Sequence, residues 1–329
     1  MRYLQSFLIS LVVTVLAGYV FIPILRRLKA GQSIKRDGPV WHMSKEGTPT
    51  MGGIIFIAGI LCAVIVTGIP SFRAGDWGIL AMLALSLVYG GIGFFDDFLK
   101  VRRRQNEGLK SAQKFILQLA VAVAFVLLLR YLGLLSPNLY VPFLEFTLPL
   151  PEVVYVIFAA FVVVGTVNAV NLTDGVDGLV SGVSLPVALC CMALAIHWGK
   201  PDQGIFAAAL AAGLVGFLFF NFHPAKVFMG DTGSLFLGGA VAALAFALDM
   251  PLVLVPLGIV YICEALSDIL QVGYFKLTHG KRIFKMAPIH HHFEKCGWSE
   301  VRIFVVFTGV SLAFALLTWV FVRGRYGVF

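Results

Sequence analysis

Long apolar runs alternate with short polar segments along most of this chain. Ten of the runs are about 17–25 residues long, the length at which a helix crosses a hydrocarbon core of about 30 Å. Because backbone polar groups in lipid must bond within their own segment, each run is predicted to be a helix. We place the runs at residues 4–25, 51–69, 77–95, 114–132, 151–170, 179–197, 204–220, 233–249, 252–275 and 301–322.

This pattern predicts an all-α polytopic membrane protein with ten transmembrane helices, forming one transmembrane domain over residues 1–329. The composition agrees, because 59% of the residues are hydrophobic, only 13% are charged and the mean hydropathy is +0.92. No soluble domain needs so much apolar surface for its core. The first run lacks the features of a cleaved signal and is expected to be an anchor. Residues 133–150, with several prolines and an alternating pattern, predict a short β-hairpin on the outer surface.

Basic residues are concentrated in the loops after the first, third and ninth runs, which hold most of the 25 Lys and Arg residues. Because basic loops are retained in the cytoplasm, both termini are predicted to face outward, on the periplasmic side. The net charge of +8 would attract anionic lipid headgroups and soluble anionic substrates, although topology alone also explains it. Nucleic acid is not an expected partner. The first of these loops contains Arg26, Arg27, Lys29, Lys35, Arg36 and Lys45.

Two adjacent aspartates follow the third run, where a helix is expected to end. Asp96 and Asp97 would there oppose the partial negative charge of the helix C-terminus. Pairing with Lys100 and with the arginines at 102–104 is one explanation. A divalent metal ion, or a base that accepts a proton from a substrate, is the other.

The segment at residues 168–179 is acidic and glycine-rich, and it contains no basic residue. Asp174 and Asp177 are three residues apart and would share one face of a helical turn. Asn171 could simply cap the sixth helix, with Asp174 bonding back to it. The alternative is a surface for a Mg²⁺-bound nucleotide or a sugar, since carboxylate oxygens are hard ligands and accept hydroxyl and imide hydrogens.

The segment at residues 221–234 again joins the end of one helix to the start of another. Asp231 could be only the N-cap of the eighth helix, or it could coordinate Mg²⁺. Phe228 could stack on a base, although an aromatic residue at the membrane interface is the more common role.

Three consecutive histidines, His290, His291 and His292, lie in a basic loop between the last two runs. Their titration near neutral pH suits phosphate recognition, proton transfer or metal ligation. The five cysteines show no metal-ligand spacing, and no Walker A sequence is present. Hard oxygen ligands among basic residues therefore favour Mg²⁺ over zinc and indicate phosphate chemistry at a membrane surface.

These segments resemble the motifs of the polyprenyl-phosphate N-acetylhexosamine-1-phosphate transferases, glycosyltransferase family 4, and the resemblance covers nearly the whole chain. Asp96-Asp97, residues 168–178 and Gly230-Asp231 look like the motifs of the whole superfamily. The resemblance implies a ten-helix bundle, usually a homodimer, in the bacterial inner membrane with its active site on the cytoplasmic face. Four stretches look more specifically like the muramoyl-pentapeptide branch: residues 45–53, 171–174, 271–273 and 287–294.

The resemblance implies a transfer of phospho-N-acetylmuramoyl-pentapeptide from UDP-N-acetylmuramoyl-pentapeptide to undecaprenyl phosphate, giving UMP and lipid I with Mg²⁺ as cofactor. One pyrophosphate bond replaces another, which fits the absence of an ATP motif. It further implies that Asp231 holds Mg²⁺ and that Asp96 deprotonates or orients the lipid phosphate, with Asp97 in support. Direct attack by the lipid phosphate is favoured over an aspartyl-phosphate intermediate, although either route needs a carboxylate near Mg²⁺.

The resemblance also carries over the remaining site residues. Lys114 would steady phosphate charge, and His290, His291 and His292 would bind the phosphate or sugar side. Phe228 would stack on uracil. The expected substrate-binding residues are Lys45, Thr50, Asn171, Asp174, Gly175, Asp177, Asn221, Phe228 and Gln271.

Two alternatives stay open on the sequence. A sister transferase that uses UDP-N-acetylglucosamine would share the aspartate motifs, and only the four specific stretches argue against it. A secondary transporter is suggested by Glu264, Asp268 and Gln271, which recur on one face of the ninth helix and would be costly in lipid. Against a transporter, the other acidic residues lie at helix ends rather than near the membrane midplane.

Overall fold

The computed structural model describes residues 1–28, 45, 47–103, 105 and 108–326. Of the basic residues named above, Lys29, Lys35, Arg36 and the arginine at 104 lie outside the described residues, as does Glu46 of the stretch at 45–53. Within the described part, nine helices are long and apolar enough to cross a membrane. They are α1 Arg2–Arg27, α2 Gly53–Arg73, α3 Gly78–Arg103, α4 Ser111–Tyr131, α5 Glu152–Thr173, α6 Leu179–His197, α7 Pro201–Asn221, α8 Gly230–Ala247 and, after three others, α12 Glu300–Val322. The prediction of an all-α polytopic membrane protein is confirmed.

The ninth predicted run differs from the prediction, because it is not one straight helix. A 3₁₀ turn at Pro251–Val253 and the four-residue helix α9, Leu254–Leu257, precede α10, Ile259–Leu277. The two parts are bent by 81° relative to each other, which makes them either a broken tenth span or a re-entrant segment. Two prolines without an amide hydrogen and Gly258 make this stretch a poor continuous helix.

The most buried helices are α7 and α8, whose small residues allow their neighbours to approach closely. α8 packs against α3 and α5, while α7 packs against α1 and α6. Polar residues on α1 satisfy their hydroxyl groups across this contact, since Ser6 Oγ donates to Ile205 O and Ser10 Oγ donates to Ala209 O. The centre of the bundle therefore supports α8, whose first turn belongs to the candidate site.

The predicted hairpin is confirmed at the end of the bundle opposite that site. Strand β1, Asn138–Val141, pairs antiparallel with β2, Phe146–Pro149. Ser136 N donates a hydrogen bond to Asp249 Oδ1, which ties the start of the hairpin to the end of α8.

One expectation and two of the alternatives about helix ends are wrong. α3 continues to Arg103, so Asp96 and Asp97 lie within the helix and not at its C-terminus. Asn171 lies inside α5 and does not cap α6, whose N-cap is Gly178. Asp231 is in the first turn of α8 and not its N-cap. Hydropathy marks only the apolar part of a helix. Each of these three helices extends beyond its apolar run into the polar segment.

α11, Ile289–Glu294, is a short helix between α10 and α12. It contains the three histidines, which the sequence analysis assigned to a loop. The C-terminal turns of α3 and α5, the start of α8 and α11 together form the polar end of the bundle described below.

Candidate active site

An acidic cluster formed by Asp96, Asp97 and Asp231 lies where α3 meets α8. One carboxylate oxygen from each residue lies within 4.8 Å of the others. The two helices approach closely here because Gly93 lies directly against the Asp231 carbonyl, and an added Cβ would overlap that group. The pattern of small residues thus brings together aspartates that are far apart in the sequence.

Asp97 supports the start of α8. Its Oδ2 accepts hydrogen bonds from Thr232 N at 2.8 Å and from Thr232 Oγ1 at 2.7 Å, and its Oδ1 accepts from Asp231 N at 3.2 Å. These bonds satisfy amide groups that a helix N-terminus otherwise leaves unpaired. Because both of its oxygens accept these bonds, Asp97 serves to position Asp231 rather than to bind a substrate.

Lys100 bridges Asp96 and Asp231, and Lys114 pairs with Asp231. Lys100 Nζ lies 2.6 Å from Asp96 Oδ2 and 2.9 Å from Asp231 Oδ2. Lys114 Nζ lies 2.9 Å from the same oxygen of Asp231, and Asn171 Nδ2 donates to its Oδ1 at 2.9 Å. Lys100 was considered only as a neutralising partner in the sequence analysis. Its spacing of four residues from Asp96 on one helix was the signal that it belongs to the site.

The donor atoms of this cluster fit Mg²⁺. Carboxylate oxygens are the hard ligands that Mg²⁺ prefers, and two or fewer carboxylates with water and phosphate usually complete its shell. Asp231 and Asp96 each direct Oδ2 toward Lys100, whereas both oxygens of Asp97 bond the start of α8 and Asp96 Oδ1 accepts from Leu109 N at 2.8 Å. Asp96 is buried, whereas Asp231 is partly open to the adjoining cavity.

A cavity of about 1100 Å³ adjoins the acidic cluster. Its polar end is formed by Asp96, Lys100, Lys114 and Asp231, and its wall continues between α4 and α5. That wall is mostly apolar, with Phe115, Leu119, Ile157, Phe161 and Val164. The cavity can therefore hold an anionic group at one end and a hydrocarbon chain along the other.

The loop between α7 and α8 carries Phe228 beside the segment before α2. Phe228 N donates to Pro49 O at 2.8 Å, and Gly52 N donates to Phe228 O at 2.8 Å. Asn221 Nδ2 donates to Val227 O at 2.9 Å, and its buried Oδ1 has no partner among the described residues. Thr50 lies close to Gly230, next to the acidic cluster. Three of the predicted substrate-binding residues, Thr50, Asn221 and Phe228, therefore lie at or beside this loop.

Lys45 and Asp177, both expected to bind uridine, are paired with each other. Lys45 Nζ lies 2.7 Å from Asp177 Oδ1 and 2.7 Å from Glu300 Oε2. Asp177 Oδ2 lies 3.0 Å from His223 Nδ1. Glu300 and His223 also belong to this group and were not predicted as site residues. No local signal marked them, because the contacts join distant segments.

Asp174 lies between these two groups, in the loop after α5. Burial, followed by the negative charges of Asp231, Asp97 and Asp177, raises the pKa of Asp174 to about 8. Gly175 follows it and faces the ring of His290 so closely that an added Cβ would overlap it. The loop after α5 thus contacts both the acidic cluster and α11.

The three histidines have different surroundings. His290 is buried, with Nδ1 2.9 Å from Glu264 Oε2, while its Nε2 has no partner among the described residues and faces Gly175. His291 Nδ1 lies 2.6 Å from Glu294 Oε2. His292 Nδ1 accepts from Lys285 N at 3.1 Å. His290 is the histidine whose ring points at other predicted site residues, and Glu264 orients it.

Gln271 is not joined to the acidic cluster by any hydrogen bond within the described ranges. Its Oε1 accepts from Ile283 N and Phe284 N at 3.0 Å each, and its Nε2 donates to Phe284 O at 3.1 Å. Its amide therefore holds the loop after α10. Glu264 pairs with His290, and Gln271 pairs with this loop, while Asp268 and Gln271 both line a separate cavity of about 480 Å³.

Comparison with known proteins identifies the family. A model for glycosyl transferase family 4 matches residues 79–249, and a phospho-N-acetylmuramoyl-pentapeptide-transferase signature matches residues 45–57. A phospho-N-acetylmuramoyl-pentapeptide-transferase of Clostridium acetobutylicum is 44% identical over 318 residues, which are 96% of this chain and 98% of that protein. A Geobacillus thermodenitrificans protein of the same name is 47% identical over 94% of each chain. The chain therefore belongs to the phospho-N-acetylmuramoyl-pentapeptide-transferases of glycosyl transferase family 4.

Proposed function

We propose that this protein transfers phospho-N-acetylmuramoyl-pentapeptide from UDP-N-acetylmuramoyl-pentapeptide to undecaprenyl phosphate, giving UMP and lipid I. The names and the near full-length similarity of its relatives support this reaction. The observation that carries the proposal is the cavity beside the acidic cluster, which is charged at one end and apolar along its wall. Such a cavity suits a lipid phosphate that must meet a water-soluble donor.

Asp231 and Asp96 would hold the metal ion. Mg²⁺ bound there would offset the charge of the donor pyrophosphate and make its phosphorus easier to attack. Lys100 and Lys114, both directed at Asp231, would then contact phosphate oxygens and stabilise charge that develops in the transition state. A phosphate monoester is largely ionised at neutral pH. Asp96 therefore needs to orient the lipid phosphate more than to deprotonate it.

The donor would lie across the loops on the other side of the cluster. Phe228 would stack on uracil, and Asn221, with an unpartnered buried oxygen, would accept a hydrogen bond from the nucleoside. Nε2 of His290 would contact the phosphate or sugar side, held in place by Glu264. Direct attack by the lipid phosphate completes the exchange.

The membrane placement is part of the proposal. The polar end of the bundle is also the end of the basic loops, which would keep it in the cytoplasm of a bacterial inner membrane. The soluble donor would reach the site from the cytoplasm, and the lipid acceptor would enter between α4 and α5. We further propose that the protein acts as a homodimer.

The first experiment measures UMP release by the detergent-purified protein given the donor, undecaprenyl phosphate and Mg²⁺. We expect release that depends on the lipid, and that is abolished by EDTA and by Asp231→Asn. Release with UDP-N-acetylglucosamine in place of the peptide donor would indicate the sister activity. No release with either donor would contradict the proposal.

A second experiment separates direct attack from a covalent intermediate. With the lipid rigorously removed, direct attack predicts no exchange of label between UMP and the UDP-linked donor. Clear exchange without lipid would require a phosphoryl group held by the enzyme and would favour an aspartyl-phosphate.

A further inference from the structure

Four charged or titratable side chains from four separate segments meet beside the proposed donor site. Lys45 precedes α2, Asp177 lies in the loop after α5, His223 follows α7, and Glu300 is the first residue of α12. Lys45 Nζ contacts both carboxylates at 2.7 Å. His223 Nδ1 lies 3.0 Å from Asp177 Oδ2 and 3.7 Å from Glu300 Oε2. We call these four residues the charged clamp.

The two carboxylates of the clamp are committed to protein groups. Asp177 Oδ1 faces Lys45, and its Oδ2 accepts from Ala225 N at 3.0 Å as well as facing His223. Glu300 Oε2 accepts from Lys45 Nζ and from Asp177 N at 3.1 Å. The Lys45 ammonium stands between the carboxylates, in the position a metal ion would need. Asp177 is thus bonded to Lys45, to His223 and to the backbone of Ala225, and it links these three segments.

The clamp acts on the loop that carries Phe228. Asp177 holds that loop through Ala225 N, and Lys45 Nζ lies 6.0 Å from the centre of the Phe228 ring. The backbone of Phe228 is bonded to Pro49 O and Gly52 N, on the segment that follows Lys45. A shift of the clamp would therefore move Phe228 through both of these connections. Asp231 of the acidic cluster lies only three residues after Phe228.

We propose that Glu300 and His223 are positioning residues for the donor nucleotide. They hold Lys45 and Asp177 in one arrangement and, through them, fix Phe228 where a uracil ring can stack on it. The inference rests on the proposed transferase function, because it concerns the donor half of that reaction. It assigns the two residues no contact with the reacting atoms.

Glu300→Gln tests this proposal, because it keeps the shape of the side chain and removes the charge that faces Lys45. We expect the KM for UDP-N-acetylmuramoyl-pentapeptide to rise about tenfold, since one partner of a largely buried pair is lost. The KM for undecaprenyl phosphate and kcat should change by less than about twofold. The reason is that the substitution weakens donor binding equally in the ground state and in the transition state. Glu300→Asp should restore part of the donor affinity.

The matched control is Glu152→Gln at the other end of the bundle. Glu152 also pairs with a basic residue, Arg130, but at 3.4 Å and with 63% of its side chain exposed. This variant should leave both KM values unchanged. His223→Gln, at a more exposed position of the clamp, should raise the donor KM about threefold and provides the test if Glu300→Gln does not fold.

A double-mutant cycle with Lys45→Met completes the test. If Glu300 acts through Lys45, adding Glu300→Gln to Lys45→Met should raise the donor KM by less than about twofold further. The proposal would be overturned if the two substitutions raised the donor KM by factors that multiply in the double variant. It would also be overturned if Glu300→Gln weakened donor and acceptor binding equally. Inactive wild-type protein would refute the transferase function itself. Active wild type with an unchanged donor KM in both Glu300→Gln and His223→Gln would refute only the positioning role.

Discussion

Folding changes the proton affinity of Asp174, in the loop after α5. Burial and three neighbouring carboxylates raise its pKa to about 8, whereas an unfolded chain would show about 3.9. The folded state therefore binds this proton more tightly than the unfolded state between these two values. The free energy of unfolding therefore decreases as the pH rises between these two pKa values.

Asp174→Asn should remove this dependence, since an amide does not titrate. In detergent with EDTA, the apparent Tm of the wild type should fall more steeply between pH 6 and pH 8 than that of the variant. The difference corresponds to at most about 1.4 kcal/mol per pH unit. Thermal scans at one fixed rate would measure it, and parallel curves for the two proteins would contradict the raised pKa.

His290 should matter most among the three histidines. It is buried against Glu264 and its Nε2 faces the loop of Asp174 and Gly175, whereas His292, also on α11, accepts a hydrogen bond from the backbone of Lys285. We expect His290→Gln to lower kcat/KM about 100-fold, within the usual contribution of a positioned proton-transfer or phosphate-contacting group. His292→Gln should cost much less.

The control for the histidine series is His279→Gln, at an exposed position after α10 that belongs to no part of the proposed site. Its kcat/KM should match the wild type. Equal losses for His290→Gln and His292→Gln would mean that the short helix α11 works as a unit and that the Glu264 contact gives no special role.

The contact between α3 and α8 determines the geometry of the acidic cluster. Gly93→Ala would place a methyl group against the Asp231 carbonyl, so the helices must separate. We expect at least a tenfold loss of kcat, since displacements of about 1 Å near a reacting centre have large effects. Gly91→Ala on the same helix meets open space and should preserve activity. Equal activity of the two variants would show that the close approach is not required.

Helices were easier to predict than the points at which they end or bend. Run length located all nine helices that are long and apolar enough to cross a membrane in the described part of the chain, but hydropathy does not show where each helix ends. It stopped α3 near Asp96 although Lys100 and the arginines beyond it continue the helix. It also joined α9 and α10, because apolar residues on both sides of Gly258 hide the bend.

In the candidate site, residues that form local motifs could be predicted, and residues whose roles depend on distant contacts could not. Aspartates, asparagines and histidines in unusual positions were visible as motifs. Lys100 was visible but read as a neutralising partner only. Glu300 and His223 could not be found, because their roles depend on contacts with Asp177 across 123 and 46 positions of sequence. Only the folded chain brings these residues together.

Lipid access can be tested across the molecule as a whole. Gly165 on α5 lines the cavity between α4 and α5, and a Cβ added there would meet no atom within 4 Å. Gly165→Leu should therefore fill the apolar wall without disturbing the fold, and we expect the KM for undecaprenyl phosphate to rise about tenfold while the donor KM stays constant. Gly309→Leu on α12, also exposed and open, is the matched control. An unchanged acceptor KM in Gly165→Leu would place the lipid elsewhere.

The bend of 81° at Gly258 has a mechanical implication. Two helices that meet at this angle cannot both follow the bilayer normal, so α10 and α9 must differ strongly in tilt. Leu266, Ile269 and Leu270 on α10 are exposed, as expected of a surface that acyl chains cover. Hydrophobic thickness acts on helix tilt. α10 carries Glu264, which holds His290. A thicker or thinner bilayer would change the tilt of α10 and, through Glu264, the position of the histidine. Turnover should therefore depend on acyl-chain length.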